Sequence, residues 1–166
     1  MRVQKGLHET ACFTGHRRLG MTERELEKKT LELIQKAYFE KGISHFIYGG
    51  ALGFDMIAAE QVLFLKDATH NGILTPITLE IAIPCENQTR GWSKRQRQRY
   101  DWILAQVDVK HERDVPYSPY AMQKRNEFMV SKSALVIAYY EDGRTGGTKN
   151  TLDYAEKHKR EIWFVK

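Results

Sequence analysis

Three short segments of this chain combine glycine with residues that hold anions, and each follows an apolar run. Thr14-Gly15-His16-Arg17 continues the run beginning at Thr10, and Gly49-Gly50-Ala51-Leu52-Gly53 follows HFIY. Gly143-Arg144-Thr145-Gly146-Gly147-Thr148 follows ALVIAYY. Glycine lets the backbone approach a ligand closely, and a helix starting at such a turn offers free N–H groups to an anion. Arginine adds two parallel donors suited to phosphate. The expected chemistry is recognition of a nucleotide or sugar phosphate. Its expected contacts are Thr14, Gly15, His16 and Arg17, then Gly49, Gly50 and Gly53, then Gly146, Gly147 and Thr148. His16 has three roles open to it: ligand contact, acid–base group, or cap of its own turn. Asp55 either accepts ribose hydroxyls or caps the helix that starts beside it, with capping favoured.

These turns act together only if one framework holds them. The chain alternates strand-like and helix-like stretches, which predicts a mostly parallel sheet of about six strands covered by helices on both faces. The strands are expected at Thr10–Thr14, His45–Tyr48, Thr78–Ile83, Val107–His111, Ala134–Tyr140 and Glu161–Val165. Helices are expected from a Thr22–Glu25 capping box to Lys41, over 54–66, from a Ser93–Gln96 box to Gln106, from Ser118-Pro119 to Ser131, and over 148–159. In such a sheet all the strand-to-helix turns lie at the carboxyl edge, where ligands bind at a topological switch point. Nothing in the chain reads as a repeat, linker or low-complexity tract, so a single domain over 1–166 is expected.

The 166 residues carry a formal net charge of +5, with 42% hydrophobic and 28% charged side chains. That composition fits a soluble globular chain whose partners are anionic. No apolar run is long enough to span a membrane, and MRVQKGLHE has no h-region of a signal peptide. Cys12 and Cys85 sit in or beside strand-like runs and suggest no disulfide framework, so a cytoplasmic location is expected. Cys85 reads as a small buried thiol. The histidines and cysteines lack metal-ligand spacing, so no metal is expected.

Other residues carry competing readings. Glu60, on a mostly apolar helix, reads first as half of a structural ion pair and second as a catalytic acid facing the pocket. The run Arg90–Tyr100 interleaves cations with aromatics, as single-strand binding sites do. On a helix, though, Arg95 and Arg99 share a face while Arg97 points elsewhere, so a solvated face is preferred. Trp92 and Trp102 are expected to pack against the core.

Read in order, several short motifs make a pattern. They are TGHR at 14–17, GGALGFD at 49–55 with Ala58-Ala59-Glu60, and Ile83-Pro84 with Gln88 and Trp92. Arg125-Asn126 with Met129-Val130 follow, then Gly146-Gly147-Thr148 with Thr151 and Tyr154-Ala155. Across nearly the whole chain this set resembles the YpsA-like branch of the SLOG superfamily, a bacterial or phage type of Rossmann-like protein related to LOG phosphoribohydrolases and DprA. The resemblance implies a Rossmann-like three-layer α/β/α fold and a nucleotide or nucleotide-derived ligand, NAD- or ADP-ribose-related among the candidates. It also brings Arg125 and Asn126 to the pocket. LOG enzymes place a catalytic glutamate three residues beyond the threonine of the glycine motif, and Thr151 stands there instead. A hydroxyl cannot replace that carboxylate. The expected role is therefore a sensor or weak N-glycosidic hydrolase, with Glu60, Glu86 or Asp142 as local acids. The alternative is a DprA-like single-stranded nucleic-acid-binding module. A homo-oligomer is compatible with either.

Overall fold

The computed structural model describes residues 5–166. Its strands are β1 (Thr10–Gly15), β2 (His45–Tyr48), β3 (Thr78–Ile83), β4 (Val109–Glu112), β5 (Leu135–Tyr139) and β6 (Glu161–Phe164). The helices are α1 (Glu23–Lys41), α2 (Phe54–Ala68), α3 (Lys94–Leu104), α4 (Pro119–Ser131) and α5 (Gly147–Lys157). All pairings are parallel, in the order β4-β3-β2-β1-β5-β6. The chain walks outward from β1 to β4, then crosses back to place β5 on the other side of β1. That reversal makes the β1/β5 boundary the switch point of a Rossmann-like sheet.

Side-chain alternation explains the three layers. Ala11 and Phe13 of β1 join one core with α1, α2 and α3, which includes Leu26, Ile34, Phe54 and Ile57. Cys12, between them, points the other way into a smaller core with Met129 and Val130 of α4 and Ala155 of α5. The helix starts follow local chemistry. Thr22 Oγ1 accepts from the Glu25 amide, without the return bond that would complete a box. Ser93 and Gln96 make both bonds of theirs. Ser118 caps α4 ahead of Pro119.

One expectation fails on α3. Trp92 is buried against Tyr100, but Trp102 is 59% exposed. Tyr100 and Ile103 are the α3 residues that face the core, and this phase turns Trp102 outward.

Gly53 sets how closely β1 approaches α2. Its φ is +85°, and a Cβ there would lie 2.5 Å from the Arg17 carbonyl oxygen. Gly53→Ala should therefore lower unfolding free energy by about 1–3 kcal/mol. A urea melt of the variant against the parent checks this.

Candidate functional site

The first and third turns are stitched across the β1/β5 boundary. His16 is buried, and its Nε2 accepts from the Glu141 amide at 3.0 Å. That bond puts the ring proton on Nδ1. Burial pushes the His16 pKa down, Arg144 lowers it further, and Glu141 opposes both. The Tyr139 hydroxyl accepts from the Gly20 amide and donates to Glu141, both at 2.6 Å. Arg144 joins Glu141 to the Arg18 carbonyl. The second turn joins through the Phe54 amide, which donates to the His16 carbonyl at 3.2 Å.

Between these turns lies a cavity of about 310 Å³. Its lining includes Thr14, Gly15, His16 and Arg17 from the first turn, and Ala51 and Asp55 from the second. Met122, Arg125, Asn126 and Met129 of α4 add one wall, and Thr145, Gly147 and Thr148 add another. Phe13 of β1 also borders it. Three larger clefts, about 360, 650 and 790 Å³, lie elsewhere on the surface, and none is lined by a buried cation. The cavity of about 310 Å³ is the one with a buried cation, Arg125, in its lining.

Arg125 is the residue that distinguishes it. The side chain is only 4% exposed. Nε donates to Asn126 Oδ1 at 2.8 Å, and Nη1 donates to the carbonyls of Gly49 and Ala82. Nη2, with two donors, has no partner among the described residues. Asp55 sits on the other side of Gly49, its Oδ2 accepting from the Gly49 and Ala51 amides at 3.1 and 3.3 Å. Gly49 is glycine for a steric reason: a Cβ would lie 2.5 Å from Arg125 Nη1 and 3.0 Å from Asp55 Oδ2. Burial pushes the Asp55 carboxyl up, opposed by the nearby guanidinium and the two amides. Burial likewise lowers Arg125, opposed by Asp55.

The third contribution is the start of α5. Its N-cap is Gly146, at φ +115°, with no side chain to cap the helix. Asn150 is the first residue of this turn whose amide bonds back, to Gly146. The amides of Gly147, Thr148 and Lys149 have no partner among the described residues. They form an anion-ready terminus beside Arg125.

Of the sequence-derived residues, Thr14, Gly15, His16, Arg17, Asp55, Arg125, Asn126, Gly147 and Thr148 meet in this cavity. Gly49, Gly50, Gly53 and Gly146 lie outside its lining and shape it through backbone geometry. Asp55 does not cap α2, whose N-cap is Gly53 without a side-chain bond; it folds back to close the preceding turn. Glu60 is held by Arg99, which also pairs with Glu23. Glu86 and Asp142 line other clefts, so Asp55 is the carboxylate this cavity offers. Thr151 is fully buried and donates to the Gly147 carbonyl at 2.8 Å. Gln88 has a role that the sequence did not show. Its Nε2 donates to the Gly49 carbonyl at 2.9 Å while its Oε1 accepts from Tyr100. Nothing local in a polar loop residue signals a bond 39 positions away.

The model for the YspA SLOG family matches residues 11–166. The chain belongs to that family. It is 34% identical over 145 residues to the uncharacterized SPbeta prophage-derived protein YoqJ of Bacillus subtilis, covering 80% of this chain and 81% of that one. It is 30% identical over 157 residues to a UPF0398 protein of Halalkalibacterium halodurans, covering 93% and 78%. Among solved structures, DNA processing protein A from Helicobacter pylori, described for its single-stranded DNA binding mode, superposes with a TM-score of 0.64 at 20% identity. That match covers 95% of this chain and 65% of the other. A structural-genomics target, TM1055, gives a TM-score of 0.56 at 15% identity, covering 93% and 72%. At these identities the two structures support the fold.

Asp55 gives the site a pH signature. Its raised pKa means that the folded protein keeps the proton to higher pH than the unfolded chain does. Its contribution to stability therefore falls as pH rises from about 4 through the raised value. Asp55→Asn cannot ionise and escapes that loss. Urea melts across this window should show the variant gaining on the parent as pH rises, then a constant difference above it.

Proposed function

We propose that this protein binds a phosphorylated nucleotide or nucleotide-derived ligand at the carboxyl edge of the sheet and acts as a sensor. The observation that carries this reading is the unpartnered Nη2 of buried Arg125, in one cavity with the uncapped start of α5. A phosphomonoester supplies the acceptors that both groups lack. Arg17, exposed at the cavity rim, adds a second guanidinium. Asp55 Oδ1 has no partner among the described residues and suits a sugar hydroxyl. A volume of about 310 Å³ is small for a ligand site, which favours one mononucleotide unit over a dinucleotide.

Hydrolysis of the LOG type finds little support. Thr151 is spent on a helix carbonyl, and Asp55 is tied to two amides. Binding without turnover is the simpler account.

A second reading, single-stranded nucleic acid, draws on the likeness to DNA processing protein A. It also draws on the exposed Lys94, Arg95 and Arg97 and on Tyr117 and Tyr120, which are 70% and 66% exposed. Against it, Arg99 is consumed by Glu60 and Glu23.

Incubating the protein with nucleoside monophosphates, NAD and ADP-ribose, followed by mass spectrometry, separates these readings. Retention of a phosphorylated ligand without products supports the sensor, and released base with sugar phosphate makes the protein a hydrolase. Gly147→Val should fold normally, because a Cβ there meets nothing nearer than 3.9 Å. It should nevertheless weaken retention more than about tenfold by filling the approach to the α5 amides. Unchanged retention removes that turn from the site. Binding of oligonucleotides that falls steeply with salt would favour the second reading instead.

A further inference from the structure

A groove of about 790 Å³ between α2 and α3, well away from the glycine turns, joins two features that compact chains rarely leave open together. Phe64 of α2 and Trp102 of α3 both line it, and each is 59% exposed. Glu27 and Asp67 also line it, and neither has an ion-pair partner among the described residues. Apolar surface rimmed by unpaired charge is the pattern of a protein contact.

The complementary surface lies on the same helix. The first turns of α3 expose Lys94, Arg95 and Arg97, none paired with a carboxylate among the described residues. Arg95 and Trp102 are seven residues apart, two helical turns, and so project from one face. The exposed stripe of α3 thus changes character along its length, cationic at the start and aromatic at the end. At that end it borders the acidic groove.

We propose that this face is the contact surface for a second copy of the chain, with the two α3 helices packed antiparallel. A two-fold axis passing near Gln98 brings Arg95 of each copy over the partner's Trp102, beside the partner's Asp67. The match is made twice by one operation, as an isologous interface requires. The guanidinium stacks on the indole face, and Asp67 supplies the countercharge. A parallel arrangement would set cations against cations. The reading is independent of the ligand cavity, which opens at the β1/β5 boundary.

Sedimentation equilibrium of the full chain over about a hundredfold range of concentration tests it. The expected result is a mass rising from one chain to two. Arg95→Glu and Trp102→Ser should each weaken dimerisation about tenfold or more. Combining Arg95→Glu with Asp67→Arg, which reverses both charges, should restore it. All three side chains are exposed, so unchanged thermal melts and unchanged nucleotide retention confirm that the fold and the cavity are untouched. A single-chain mass at every concentration overturns the proposal and leaves the groove to a partner of different sequence. A dimer indifferent to both single substitutions overturns it too.

Discussion

The site depends on one costly arrangement, a guanidinium buried without a carboxylate in direct contact. Removing a charge from water is expensive unless its hydrogen bonds are replaced. Arg125 replaces most of them with neutral oxygens, the carbonyls of Gly49 and Ala82 and the amide oxygen of Asn126. The balancing charge, Asp55, stands across Gly49 and holds the amide of the same residue whose carbonyl Arg125 holds. Gln88 also donates to that carbonyl. A single glycine therefore carries three polar contacts, to Arg125, Asp55 and Gln88, and a side chain there would collide with two of those partners. What is left over is the Nη2 edge, and that edge belongs to the cavity.

The remaining site geometry follows from this pin. With Gly49 fixed, α2 starts where Gly53 can press against the backbone of His16 and Arg17. His16 in turn fixes the third turn through Glu141. The α5 amides thereby come to face α4 across the cavity, although the two helices start far apart in sequence. Pre-organised donors of this kind bind an anion without an ordering cost at the moment of binding.

Much of the architecture was legible in the sequence because it rests on local signals. Alternating apolar runs marked the strands, and Ser93 and Ser118 marked helix starts. The glycine turns lie together at the carboxyl edge of the parallel sheet, as the alternating pattern predicts. The roles within that edge were less legible, because they rest on tertiary contacts. Asp55 looked like a helix cap, yet it closes a turn. Gly49, Gly50 and Gly53 were expected as ligand contacts, and the packing adds a second constraint on them, since a Cβ at each would press on other protein groups. The long-range bonds of Gln88, and the bracing by Tyr139, Glu141 and Arg144, had no local signature. Trp102 failed for a simpler reason: aromatic character does not reveal which way a short helix is turned.

Membership of the YspA SLOG family sets the frame, and the cavity gives it chemical content. The central claim is that the Nη2 edge of Arg125 and the first amides of α5 hold a phosphate together. A crystal structure of the protein with a nucleoside 5′-monophosphate is the most direct test. The account predicts phosphate oxygens within hydrogen-bond distance of Arg125 Nη2 and of the Gly147 and Thr148 amides. A phosphate bound elsewhere, with Nη2 left to solvent, would contradict it.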